Sequence, residues 1–182
     1  MAIERAASTA SQTLNATSDT LVNGLTITPA SGDYLLFATV QFLTASSAGT
    51  EFTDFNVYVG GTKVAHSERQ YHEDTSVDNA QFTYALNCKV SPNGSQAVEI
   101  RYRASGTGSP LVAQHRELNL FPMPTSGTNY EQSATADTST GSGTFGTMNS
   151  MSVTPVADDY LLVFSTSGDG PSGSQVEYQV TV

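Results

Sequence analysis

Histidines and acids are the residue types here that could do chemistry, and they gather in one stretch. His66 and His72 bracket Glu68 and precede Glu73 and Asp74, a donor set of the kind that holds zinc. Zinc ligands normally pair more tightly on one element. A six-residue gap across a turn lacks that spacing, so these residues read as a solvated loop. Glu73, Asp74, Asp78 and Asn79 offer oxygens to calcium but miss the Asp-x-Asp-x-Asp-Gly pattern of a calcium loop. Glu99 and Glu117 are the acids available for glycoside cleavage, which needs two carboxyls fixed about 5–10 Å apart across a cleft. Both fall at outward or edge positions. No serine lies in a Gly-x-Ser-x-Gly elbow, and neither a P-loop nor a dinucleotide fingerprint occurs. Asn15-Ala16-Thr17 and Asn93-Gly94-Ser95 match a glycosylation acceptor, a pattern short enough to arise by chance. Cys88 is alone, cannot form an intrachain disulfide, and alternates with Phe82, Tyr84, Leu86 and Val90 as a small buried hydrophobe would. The residues assign no catalytic, cofactor-binding or metal site and no cofactor. The chain is expected not to be an enzyme.

Binding is the other chemistry to weigh. Arg101 and Arg103, with Lys89, would share an outward face if their strands paired, as a partner-binding stripe or, the simpler reading, as solubilising charge. Tyr71 and Tyr130 are aromatics placed to stack on a sugar ring if their loops expose them. Asp33 and the Asp158-Asp159 pair sit beside strand-initiating turns, where aspartate bonds nearby backbone amides.

The charge narrows the partners. The 182 residues carry a formal −10, with only 13% charged side chains. Residues 125–182 hold six acids and no base, and the remainder holds seven bases and eleven acids. An acidic surface repels phosphate, so nucleic acid is an unexpected partner. No apolar run approaches the roughly 20 residues that span a bilayer as a helix, and Met1-Ala2-Ile3-Glu4-Arg5 lacks the form of a secretory signal. Synthesis in a cytoplasm, without a signal peptide and without a membrane partner, is the expectation.

The elements that would position these side chains are strands. Leu21–Thr28 reads as one, ended by Pro29 and a Ser31-Gly32 turn. Asp33–Thr44 is apolar on both faces, with Tyr34, Leu36, Ala38, Val40 and Phe42 on one side and Leu35, Phe37 and Leu43 on the other. That pattern fits a central strand or one lying in a subunit interface. Gly60-Gly61 between Phe52–Val59 and Lys63–Ser67 predicts a tight hairpin, and residues 72–79 a polar loop. Gln81–Val90 and Gln96–Ala104 alternate cleanly about a Ser91-Pro92-Asn93-Gly94-Ser95 turn, and Leu118–Phe121 closes the unit. No helical period of ten or more residues occurs.

Thr26–Phe37 recurs loosely as Ser152–Val163, a shift of 126 positions, so the chain begins a similar unit twice. Tyr178-Gln179-Val180-Thr181-Val182 in turn parallels Phe55-Asn56-Val57-Tyr58-Val59. The reading is all-β: a jelly-roll-like antiparallel β-sandwich, tandemly repeated, with the second copy incomplete. Its parts are an N-terminal arm (1–19) that either frays or grips a neighbour, a first sandwich (20–122), a linker (123–130) and the start of a second, related domain (131–182).

Gly32-Asp33-Tyr34-Leu35-Leu36-Phe37, followed by a polar hairpin, an alternating strand, an Asn-Gly turn and a second alternating strand, resembles the C1q/TNF-like jelly roll. That family's motif is Gly-x-Tyr-x-Phe. Gly32 and Tyr34 match it, Leu36 replaces the phenylalanine, and Asp158 replaces the glycine in the second copy. The resemblance implies a homotrimer built through aromatic and aliphatic residues of one sheet. With a Ser/Thr/Gly-rich, Lys-poor composition it implies a virion protein, such as a bacteriophage capsid decoration or head- or tail-fibre component, whose partners are itself and the major capsid or other virion proteins. The alternative is a receptor- or glycan-binding adhesin module that meets a host surface glycan.

Overall fold

The computed structural model describes residues 2–44, 52–72, 81–106, 111–124, 132, 148, 151–157 and 161–164. Ten strands follow in chain order: β1 (Glu4–Ser8), β2 (Gln12–Leu14), β3 (Thr20–Ile27), β4 (Tyr34–Thr44), β5 (Phe52–Val59), β6 (Thr62–Lys63), β7 (Arg69–His72), β8 (Gln81–Val90), β9 (Val98–Ala104) and β10 (Leu111–Pro122). Among the described residues there is no helix.

The strands form two antiparallel sheets. The first runs β1-β10-β4-β8, with β2 also on β10, and the second runs β3-β9-β5-β6, with β7 also on β5. From β3 onward the long strands switch sheet at each step: β3 in the second, β4 in the first, β5 back, then β8, β9 and β10 in turn. That alternation is the jelly-roll sandwich. The inward residues of β4 and β10, among them Tyr34, Leu36, Phe42, Leu118 and Leu120, meet Phe55, Val57, Val98 and Ile100 of β5 and β9, all nearly or fully buried. Tyr34 keeps its hydroxyl satisfied by donating to the Ala30 carbonyl at 3.1 Å.

The expected strands are present, with informative differences at the ends. Gly60 and Gly61 take φ of 57° and 79°, the left-handed pair that a two-residue hairpin needs. The hairpin's return strand is short, ending at Lys63: Val64 N–H still bonds the Val57 carbonyl opposite it at 2.8 Å, but the Val57 N–H donates to Ser67 Oγ at 3.0 Å, and the ladder stops. Part of the expected polar loop is strand: β7 pairs Phe52–Phe55 of β5, while residues 73–80 lie outside the described residues. The N-terminal arm neither frays nor reaches outward. β1 pairs Arg116–Leu120 and β2 pairs Leu111–Ala113, so both add to the chain's own first sheet. The cause is β10, twelve residues long and offering one whole edge to them.

Much of the second copy, including Tyr130, Asp158-Asp159-Tyr160 and residues 165–182, lies outside the described residues. Of its described part, neither 151–157 nor 161–164 forms a strand. Leu162, the counterpart of the fully buried Leu36, is 60% exposed.

Gly24 (φ 84°) marks where β1 crosses β3. A Cβ there would sit 2.6 Å from the Ser8 Cβ. Gly24→Ala is expected to cost about 1–3 kcal/mol, combining left-handed strain with the clash, measured as a lowered urea midpoint at unchanged slope.

Candidate functional site

Alternation decides what each sheet shows to solvent, and the two outer faces differ in kind. On the second sheet, β5 and β9 turn Asp54, Asn56, Tyr58, Glu99, Arg101 and Arg103 outward. Their charges are consumed locally. Asp54, fully buried, accepts from Arg103 Nη2 at 2.7 Å and from Gln70 Nε2 at 2.9 Å. The bond to Asp54 and that carboxylate's charge hold the Arg103 guanidinium above its ordinary pKa. Arg101 donates to Glu99 Oε2 at 2.7 Å and lies 4.5 Å over the Tyr58 ring. Tyr58 donates to Asp19 Oδ2 at 2.5 Å, and burial, then that bond, push its hydroxyl up to about 12. Asn56 is 1% exposed, and neither atom of its amide has a hydrogen-bond partner. A water bridging Asn56 is the ordinary remedy for such a group.

The basic stripe read from the sequence does not form. Lys89 is on β8 in the first sheet, bound to Asp33 at 2.9 Å, while Arg101 and Arg103 are on β9 in the second. Consecutive strands of a jelly roll go to opposite sheets, so they cannot share an outer face. The same rule separates Glu99 from Glu117. Glu99 faces out on the second sheet and Glu117 on the first, with the sandwich core between them. Ser91 first, then Lys89, hold the Asp33 carboxyl below its ordinary value, and Asn119 first, then Arg5, do so for Glu117.

Of the candidate donor set, the structure describes His66, Glu68 and the backbone of His72, while Glu73, Asp74, Asp78 and Asn79 lie outside the described residues. His66 occupies a turn with φ 59°, its carbonyl accepting from Arg69, and His72 ends β7. No group of three potential ligands is gathered among the described residues. Tyr71 is no exposed loop aromatic: its ring packs against Phe42 at 4.8 Å and Phe82 at 5.2 Å. Cys88 is half-buried against the core, as its alternation requires.

The outer face of the first sheet is different. At one end Leu35 stands opposite Phe121, and Phe37 meets Phe121 edge-on at 5.5 Å. Phe121 is 37% exposed. The apolar second face of β4 seen in the sequence is therefore real and incompletely covered. Farther along the strands lies a hollow of about 370 Å³ lined by Arg5, Ala7, Ser8, Thr9, Thr39, Gln41, Thr83, His115, Arg116 and Glu117. A register shift between Ala113 and Arg116 breaks the β10–β4 ladder there.

Sequence reasoning passed over Asp54 and Arg116. A signal existed for Arg116: the inward phase of Leu118 and Leu120, carried back two residues, points it into the core. Asp54 gave a weaker one, an acid inside an otherwise apolar strand.

No family model matches the chain, and no curated protein does. Solved structures it resembles include Eiger, a TNF of S. frugiperda, at 8% identity over 71% of this chain and 98% of that one, with a TM-score of 0.45. The T13 particle of infectious bursal disease virus is another, at 8% identity, 66% and 31% coverage and a TM-score of 0.42. The VP2 subviral particle of the same virus matches at 16% identity, 66% and 32% coverage and a TM-score of 0.39. The chain spans about a third of the length of these capsid chains. The fold assignment rests on strand order, not on these likenesses.

Two measurements check the second sheet's outer face. Arg103→Ala is expected to cost about 2 kcal/mol, because it strands a buried carboxylate. Asp54→Asn should cost no more than about 1, since Arg103 is half in water and can be rehydrated. Urea unfolding of both variants reads the difference. Tyr58 gives the second. Its folded pKa lies above the unfolded value of 10.0, so the folded state retains the proton longer. Its contribution is whole below about pH 10 and lost as pH rises to about 12. Absorbance titration should show one late tyrosine, absent in Tyr58→Phe.

Proposed function

We propose that this chain is a non-enzymatic structural module of a virion, a capsid decoration or head- or tail-fibre component that associates with copies of itself as a homotrimer through its first sheet. The observation that carries the reading is the apolar row Leu35, Phe37 and Phe121 on the outer face of that sheet, with Phe121 at 37% exposure. A water-exposed aromatic such as Phe121, flanked by the half-buried Leu35 and Phe37, is the usual material of an interface core. Burying them between copies contributes at most about 25 cal/mol per Å².

The second sheet's outer face supports the same reading by contrast. Its charges are matched within the chain, which leaves it a finished surface suited to solvent. The low content of long charged side chains, 13%, fits a module that packs tightly among neighbours.

Mass measurement by light scattering at micromolar concentration should give a trimer. Phe37→Ser with Phe121→Ser should give a monomer with unchanged β-sheet circular dichroism. A monomeric parent chain would overturn the self-association, and absence of the protein from particles purified from its native source would overturn the virion assignment.

A further inference from the structure

We infer that the segment Leu161–Phe164 of one copy covers the apolar row on the first sheet of the next, a head-to-tail clasp between chains. The inference rests on the self-association proposed above and names the parts that meet. It begins with where the segment lies. The Phe164 carbonyl accepts a hydrogen bond from Asn87 Nδ2 at 3.3 Å. Asn87 belongs to β8, stands in register with Phe37 of β4, and shares the outer face with it. The segment is therefore seated beside the row Leu35, Phe37 and Phe121 of its own chain.

That seat leaves apolar surface in water on both sides of the contact. Leu161 is 82% exposed, Leu162 60% and Phe164 41%, and Phe121 across the sheet remains 37% exposed. Four consecutive apolar residues are the pattern of a fully buried stretch, and here they lie at the surface. Exposed apolar groups that adjoin one another in this way mark a contact between molecules.

The symmetry of a trimer favours exchange of the segment between copies. A surface that meets its own copy closes as a twofold pair, whereas a three-membered ring requires two different surfaces on each chain. The apolar row of the first sheet is one such surface, and Leu161–Phe164 supplies the other. Thirty-six residues (125–160) connect the segment to Pro124, just past the end of β10, a span of at most about 130 Å when extended. That length reaches a neighbouring copy. The contact made within one chain transfers to the next at low cost, because the same residues meet.

The test uses the full chain in two arms. In the first, light scattering follows Leu161→Ser combined with Leu162→Ser and Phe164→Ser, which leaves Leu35, Phe37 and Phe121 intact. The parent should be a trimer at micromolar concentration. The variant should need at least about tenfold more protein to reach that mass, with circular dichroism unchanged. In the second arm Cys88→Ser removes the native thiol, and Asn87→Cys and Phe164→Cys are placed on separate chains. These are refolded together from urea and oxidised. The mixture should give a disulfide-linked pair of chains that neither variant gives alone. A trimeric parent whose triple variant is equally trimeric would overturn the clasp and leave the homotrimer standing. A trimer without the mixed disulfide would confine the segment to its own chain and overturn the exchange. A monomeric parent would overturn both.

Discussion

The ladder between β4 and β10 holds this molecule together, and its one interruption shapes the surface. Tyr34–Thr44 pairs with Leu111–Pro122 over nearly the whole of both strands. The two strands are distant in sequence, so the loop between them must close before either sheet has a core to bury. Once paired, β10 gives its other edge to β1 and β2, and β4 gives its other edge to β8. At the Ala113–Arg116 irregularity the alternation slips. Arg116 turns toward the Asn23 carbonyl of the opposite sheet, while His115 stays in solvent. A single bulge therefore ties the two sheets at one end and opens the hollow on the outer face.

The two outer faces handle charge in opposite ways. On the second sheet a buried carboxylate, Asp54, organises its surroundings: Arg103 and Gln70 are fixed by it, and Arg101 is fixed by Glu99 and the Tyr58 ring. Such a network holds its side chains in one arrangement and leaves little capacity for a partner. The first sheet is unfinished by comparison. Its hydrophobic end is half-covered, with Phe121 37% exposed. Exposed apolar side chains mark interaction surfaces, which is why the functional reading falls on this face.

What was legible in the sequence follows the range of each signal. The alternation of Gln81–Val90 and Val98–Ala104, the Gly60-Gly61 hairpin and the two-faced apolar pattern of Tyr34–Thr44 are local, and they gave the strands and the sandwich. β1 and β2 were illegible because Glu4–Ser8 and Gln12–Leu14 have little apolar alternation of their own. They are strands because β10 offers an edge. The supposed stripe of Lys89, Arg101 and Arg103 failed for a related reason: sequence neighbours in a jelly roll occupy different sheets, so nearness along the chain is a poor guide to a shared face. The hollow was invisible for the same cause, since it draws on β1, β4, β8 and β10 at once. Arg116 lies beneath it, and its burial follows from register rather than from its residue type.

The first sheet's outer face is divided along the strand axis. Leu35, Phe37 and Phe121 lie toward the start of β4, and Thr39 and Gln41 lie beyond them, beside the hollow. The division follows from alternation on one strand: the outward positions of β4 turn from apolar to polar between Phe37 and Thr39, while its inward positions, from Tyr34 to Phe42, stay apolar throughout. The core therefore runs the whole length of the strand, and only the outer face changes character along it.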